Sequence, residues 1–239
     1  MPGLGTLINA AAIIAGGIAG LFGRRLLKER HQETVLKATG FAVIFLGASG
    51  TLAQMLAVSD GGHALNASGT MTILISLALG ALIGEIINID ALFERFGAWL
   101  KQKTGSGGDS QFINAFVTAS LTVSIGAMSV MGSIQDGVYG DYSTLAAKAA
   151  IDFVIVLIMS SSMGKGCLFS FIPVAVLQGG MTAAASLLAG CMTEPMLNNL
   201  SMVGNILIFC VGINLVWPNT IRAANLLPAI VIASALALL

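Results

Sequence analysis

Residues 4–22 have the sequence LGTLINAAAIIAGGIAGLF, an apolar run without a charged side chain. A helix needs about 20 such residues to cross a hydrocarbon core that is roughly 30 Å thick. Further apolar runs follow near 38–58, 70–88, 112–133, 147–163, 166–190, 197–216 and 224–239. We therefore predict an all-α polytopic membrane protein with about eight transmembrane helices, or seven, because the fifth and last runs are short.

The composition of the whole chain supports this class. Of 239 residues, 56% are hydrophobic and 9% are charged, and the mean hydropathy is +0.92. Soluble domains contain roughly 25% charged residues, so this chain has too few charges to cover a water-soluble surface. The composition excludes a cytosolic enzyme, a disordered chain and a disulfide-built secreted module, and it predicts membrane lipid as a partner.

Several kinds of chemistry find no support in the sequence. The formal net charge is zero, which predicts no nucleic-acid partner. Cys167, Cys191 and Cys210 are widely spaced, so we predict no metal site and no cofactor. The chain has no HExxH, GxSxG or Walker-type motif, and both histidines, His31 and His63, fall in predicted loops. We predict that the protein is not an enzyme.

The charged residues predict an orientation. Cytoplasmic loops of membrane proteins carry an excess of lysine and arginine. With eight spans, every basic residue except Lys148 falls on one side of the membrane, and the opposite loops carry Asp60, Asp136, Asp141 and Glu194. This distribution predicts that both termini lie outside.

A short amphipathic segment and a linker divide the chain. Within 89–103, apolar residues recur at helical spacing between charged ones, which is typical of an interfacial helix with Trp99 at headgroup level. A gate or a partner-binding helix is the alternative. The glycine- and serine-rich segment 104–111 predicts a linker. We therefore divide one membrane domain into an N-terminal three-span unit, 1–103, and a C-terminal five-span unit, 112–239.

A weak internal match appears when the chain is shifted by 164 residues. The first span then aligns with the sixth and the second with the seventh, and copies related in this way would cross the membrane in opposite directions. Inverted repeats of this kind build many secondary transporters. Chance similarity between glycine-rich helices is an equally good explanation. The identical pairs are Gly16 with Gly180, Leu36 with Leu200, Gly40 with Gly204 and Phe45 with Phe209.

Asp152 is the most costly residue to place in a membrane, because a carboxylate at a helix centre costs about 2.5–3.5 kcal/mol on insertion scales. It lies in the run 147–163, and Lys148 precedes it by one turn on the same helix face. We predict that this pair contributes to a site for a coupling ion, a proton or a substrate. The alternative is a local ion pair near the outer interface, with Lys148 extended toward water.

The stretch 126–141 starts as a membrane helix and becomes rich in glycine and small polar residues before its apolar run ends. We predict a broken helix whose free backbone groups line a wet cavity together with Ser133, Gln135 and Asp136. An outer loop with turn residues is the alternative interpretation.

Two amides, Gln178 and Asn205, lie near the middle of the sixth and seventh predicted spans. At this depth an amide either hydrogen-bonds between helices or contacts a ligand, and the sequence leaves both roles open. Glu85 and Asn225 lie near helix ends, where interfacial positions are expected.

Two pairs of glycines are spaced by four residues, Gly16 with Gly20 and Gly80 with Gly84. Small residues at this spacing let helices approach closely. They predict packing seams within one subunit or between subunits, which is compatible with a homo-oligomer.

Taken together, these elements resemble the YdfK/YqgA-like family of bacterial multispanning inner-membrane proteins, classed as a domain of unknown function. The resemblance covers essentially the whole chain and implies a bacterial plasma-membrane location. It implies no established substrate or mechanism. The elements that carry it are the start Gly3-Leu-Gly-Thr-Leu-Ile-Asn9, the Gly84-Glu85-Ile run, Gly132-Ser-Ile-Gln-Asp-Gly137, Lys148 with Asp152, Gln178-Gly-Gly180 and Asn225-Leu-Leu-Pro228.

Three functions fit these observations. The leading hypothesis is a permease for a small solute or ion, with ion coupling left open, because an acid inside a span and broken helices are typical of transporters. A passive ion channel is the first alternative. A membrane scaffold or regulatory subunit that transports nothing is the second.

Overall fold

The computed structural model describes residues 2–24, 29–58, 65–124, 127–185, 193–218 and 220–238. Within these ranges the chain is almost entirely helical, which confirms the all-α polytopic class. Two three-residue strands, β1 (Leu56–Val58) and β2 (Leu65–Ala67), pair antiparallel. The helices are α1 (Leu4–Arg24), α2 (Glu29–Met55), α3 (Thr70–Ile87), α4 (Ile89–Lys103), α5 (Phe112–Ser124), α6 (Ala127–Tyr139), α7 (Ser143–Met163), α8 (Phe171–Ala183), α9 (Glu194–Val216) and α10 (Pro228–Leu236).

Six helical segments of the described ranges are long and apolar enough to cross a membrane, and a bent pair raises the number to seven. The bent pair is α5 with α6, whose axes differ by 61°. The eighth predicted span is shorter than expected, because a 3₁₀ turn at Ala223–Leu226 precedes the nine-residue α10. Some residues used in the predictions lie outside the described ranges: Arg25, Lys28, Asp60, His63, Gly126, 186–190 and Cys191.

The fifth span is longer than predicted, because α7 begins at Ser143 rather than near residue 147. The backbone N–H of Ser143 donates to the Asp141 carboxylate at 2.9 Å. This bond satisfies a donor at the start of the helix, and the same N–H lowers the pKa of Asp141 below its usual value.

The chain forms two compact units that are interleaved in sequence. Unit 1 comprises residues 1–40, 91–124 and 128–191, and unit 2 comprises 41–90, 125–127 and 192–239. This division differs from the three-span and five-span units that the linker at 104–111 suggested. Both α2 and α4 contribute residues to each unit.

In unit 1, the glycines of α1 pack directly against the backbone of α7. A Cβ atom at Gly16 would overlap the carbonyl oxygen of Phe153, and one at Gly20 would overlap that of Leu157. A Cβ at Gly5 would meet the side chain of Leu145, so the two helices run parallel. The predicted seam therefore lies within the chain.

In unit 2, α3 uses its own glycine pair in the same way. A Cβ at Gly80 would overlap Ala229, and one at Gly84 would overlap the carbonyl oxygen of Asn225. Both predicted glycine pairs thus pack within single units, where small residues allow close backbone contact.

The aligned residues of the weak internal match have different environments. Gly16 is buried against α7, whereas a Cβ at Gly180 would meet nothing within 4 Å. Phe45 is exposed, whereas the backbone of Phe209 packs against Gly47. Equivalent residues of a structural repeat would share an environment, so these pairs give the repeat no support.

The amphipathic segment forms α4 as predicted, and it packs through its apolar face within unit 1. Leu100 belongs to a buried cluster with Phe112 and Phe116. Trp99 stacks on Phe96 and remains exposed, as an anchor at the membrane surface requires.

The packing of α1 on α7 leads to a stability prediction. We expect Gly16→Ala to lower the midpoint of thermal unfolding in detergent, because the added methyl overlaps backbone, and overpacking costs about 1–3 kcal/mol. Gly23→Ala is the matched control in α1, since a Cβ there meets nothing within 4 Å. Equal midpoints for the two variants would contradict the seam.

Candidate functional site

The ion pair of Lys148 and Asp152 lies deep inside unit 1. Asp152 is the tenth of the 21 residues of α7, so it lies at the middle of the span. The two side chains form a salt bridge and are only 8% and 3% exposed. Lys148 therefore does not extend toward water, contrary to the alternative of a local ion pair near the outer interface.

A second contact of Lys148 explains why the charge lies at this depth. Its ammonium donates to the carbonyl oxygen of Val123 at 2.7 Å. Val123 is in the last turn of α5, where carbonyl groups lack helical partners and where a cation is favoured. The lysine thus stabilises the end of the broken helix, because a bilayer offers no water to do so.

Three side chains from α1, α6 and α8 form what we call the amide layer: Asn9, Ser129 and Gln178. The Asn9 amide donates to Gln178 Oε1 at 3.2 Å, and Gln178 Nε2 donates to Ser129 Oγ at 3.4 Å. The Asn9 side chain also lies near the Asp152 carboxylate. The ion pair and the amide layer therefore form one polar network with residues from α1, α5, α6, α7 and α8.

Asp136 lies fully buried in α6 rather than in an outer loop. The loop interpretation of its stretch is therefore wrong for residues 127–139. Asp136 Oδ2 accepts the backbone N–H groups of Gly3 and Gly5, both at 3.1 Å. These are free donors at the start of α1, where a carboxylate is stabilised by the helix dipole. Ser133 lies one turn away on the same face and is also fully buried.

Neither Gln135 nor Asn205 belongs to the network, and among the described residues no hydrogen bond joins Ser133 or Asp136 to it. Gln135 is half-buried and accepts a hydrogen bond from the hydroxyl of Thr144 at 2.7 Å. Asn205 belongs to unit 2, where its amide packs on Gly50 and donates to Ser201 Oγ at 3.3 Å. For Asn205, hydrogen bonding within its own helix fits better than contact with a ligand.

A second polar group lies in unit 2 at the end of α3. Glu85 pairs with Arg222 and accepts a hydrogen bond from the Asn225 amide. Asn225 also accepts the backbone N–H of Asp90 at 2.8 Å. Asn225 is buried, and its side chain bridges the end of α3 and the start of α4.

Asn9 is the network residue that the sequence analysis missed. It is the one amide side chain in span 4–22. A single amide among mainly apolar residues is the feature of the sequence that could have indicated it. Ser129 gives no comparable signal, since serine is common in membrane helices.

The geometry predicts that the two charges stabilise each other. We expect Lys148→Met or Asp152→Asn alone to destabilise the protein strongly, because breaking a buried pair leaves an uncompensated charge and costs about 3–5 kcal/mol. The double variant should recover most of that loss, although Val123 still loses a donor. Thermal unfolding in detergent measures this coupling.

The exposed residues Lys103 and Glu94 provide controls of matched chemistry. Lys103→Met and Glu94→Gln should leave the unfolding midpoint nearly unchanged. Additive losses from Lys148→Met and Asp152→Asn in the double variant would contradict the coupling.

Comparisons with known proteins place this architecture in a family. Residues 4–238 match the family described as "Protein of unknown function (DUF554)". The chain is 26% identical over 228 residues to the uncharacterized membrane protein YdfK of Bacillus subtilis (strain 168), covering 95% of this chain and 93% of the relative. It is 25% identical over 234 residues to the uncharacterized protein YqgA of Escherichia coli (strain K12), covering 96% and 94%.

No solved structure matches the chain. The family match extends over almost the whole sequence, and the two relatives align with this chain over nearly their full lengths. The resemblance drawn from the sequence is confirmed, and the protein is a membrane protein that belongs to the DUF554 family.

Proposed function

We propose that this protein is a permease for a small solute or ion in the bacterial plasma membrane. The observation that carries the proposal is the polar network at the helix break, with the Lys148–Asp152 pair buried at the middle of a span. Charged residues at this depth are costly, and in membrane proteins they are typical of substrate and ion pathways.

The position of the break supports this function. Secondary transporters commonly form their sites from discontinuous helices near the middle of the bilayer. Here α5 and α6 together form one discontinuous span, and Lys148 contacts the end of its first half at Val123. The axes of the two halves differ by 61°.

The ion pair suggests how binding drives such a movement. An anionic group of the solute competes with Asp152 for Lys148, and a proton or a cation competes with Lys148 for Asp152. Either exchange changes the contact between Lys148 and the carbonyl of Val123, so occupancy of the site is transmitted to the broken span. A ligand shifts a conformational equilibrium only through such a difference in contacts.

Flux through proteoliposomes tests the proposal. We would impose gradients of proton, sodium, potassium and common anions, and compare wild type with Asp152→Asn and with the double variant Lys148→Met/Asp152→Asn. We expect both variants to lose flux by about tenfold or more, which corresponds to 1.4 kcal/mol or more of lost interaction. The double variant separates transport from folding, because it removes both charges of the pair.

Glu94→Gln and Lys103→Met are the controls, and both should retain wild-type flux. Full flux through the folded double variant would contradict the proposal. Folded wild-type protein without flux of any tested ion or solute would instead favour a scaffold. A single cysteine at Ser129 that reacts from both sides of the membrane at once would favour a channel over alternating access.

A further inference from the structure

Unit 1 contains a second polar layer beside the amide layer. We call it the hydroxyl layer, and it consists of Thr6 on α1, Ser133 on α6 and Thr182 on α8. Each of these residues lies about one helical turn from a residue of the amide layer, a step of roughly 5 Å along the helix axis. The pairs are Thr6 with Asn9, Ser133 with Ser129 and Thr182 with Gln178. The two layers therefore stack if the step from the amide layer to the hydroxyl layer points the same way on all three helices.

Contacts between the helices establish that alignment. Gly17 packs against Leu168 while Gly179 faces Thr6, so α8 runs antiparallel to α1. Ser129 bonds to Gln178, and a Cβ at Gly137 would meet the carbonyl oxygen of Thr182, so α6 runs parallel to α8. The step from the amide layer to the hydroxyl layer therefore points the same way on all three helices, toward the start of α1.

Asp136 closes the same end of the unit, since it accepts hydrogen bonds from Gly3 and Gly5 beside Thr6. Asp136 and Ser133 are 0% exposed, Thr6 is 6% exposed and Thr182 is 8% exposed. Asp136 Oδ1 and the three hydroxyl oxygens have no hydrogen-bond partner among the described residues. Four buried oxygens without partners among the described residues thus lie on neighbouring turns of α1, α6 and α8.

The chemistry of these oxygens indicates their ligand. All are hard donors, and only one of them carries a negative charge, so a monovalent cation balances the site. A calcium or magnesium ion is usually held by more than one carboxylate or by water. We propose that Asp136, Thr6, Ser133 and Thr182 bind a sodium ion.

The amide layer extends this site. Asn9 Oδ1 is buried, has no hydrogen-bond partner among the described residues, and lies one turn from Thr6. It supplies a fifth oxygen at the boundary between the two layers. Since Asn9 also lies near Asp152, it connects the sodium site to the ion pair. If the protein is the proposed permease, sodium is its coupling ion. Sodium binding itself requires no transport.

Thermal unfolding of the full chain in detergent tests the site without a gradient. We would titrate sodium chloride against potassium chloride and choline chloride at constant ionic strength. We expect saturable stabilisation by sodium alone, because an ion that binds only the folded state raises its stability. Asp136→Asn should weaken the apparent sodium affinity by about tenfold or more, while Asn keeps an oxygen for the N–H groups of Gly3 and Gly5.

Thr182→Val tests the ligand set without changing charge or shape, so its loss of sodium response is not a folding defect. Asp141→Asn removes an exposed carboxylate from the same end of the unit and should respond to sodium like wild type. An equal response to all three salts, or an unchanged response in Asp136→Asn and Thr182→Val, would overturn the sodium site. Flux that persists without sodium binding would overturn this inference alone and leave the permease standing.

Discussion

The structure of unit 1 depends on one constraint, which is that a helix broken inside a membrane must have its free carbonyl groups satisfied by the protein. Lys148 meets this constraint at Val123. A lysine at that depth needs an opposite charge, and Asp152 supplies it one turn along the same helix. The carboxylate then needs a further polar neighbour, which Asn9 provides and the rest of the amide layer supports. Each polar residue of the network is thus required by the previous one.

Close packing of α1 on α7 allows the members of this network to contact each other. Asn9 is a short side chain, so it approaches Asp152 only because Gly16 and Gly20 bring α1 into contact with the backbone of α7. Glycines at the start of α1 have a second use, since Gly3 and Gly5 offer their N–H groups to Asp136. The glycine content of this chain therefore has a specific physical role, because larger residues would separate α1 from α7 and leave the buried charges without partners.

The sequence was sufficient for the fold class and for the two charges, because apolar length and intramembrane charge are local signals. It also predicted a broken helix, but within 126–141, whereas residues 127–139 form the continuous helix α6. It did not show that Asp152 lies at mid-span, since the start of α7 depends on the local bond between Ser143 and Asp141. It did not show that Gln178 and Asn205 differ in role, because two amides at similar depth are distinguished only by the residues that tertiary packing places beside them.

Whether the buried hydrogen-bonding groups have partners separates a functional network from a structural one. A buried polar network that serves packing alone is expected to satisfy every member, since a partly satisfied network is worse than an apolar core. In unit 1 the donors of Lys148, Asn9 and Gln178 have partners, whereas Asp136 Oδ1 and Asn9 Oδ1 have none among the described residues. These two atoms are acceptors, so the group that completes them carries a proton or a positive charge. The proposed coupling ion would supply the partner that these two acceptors lack.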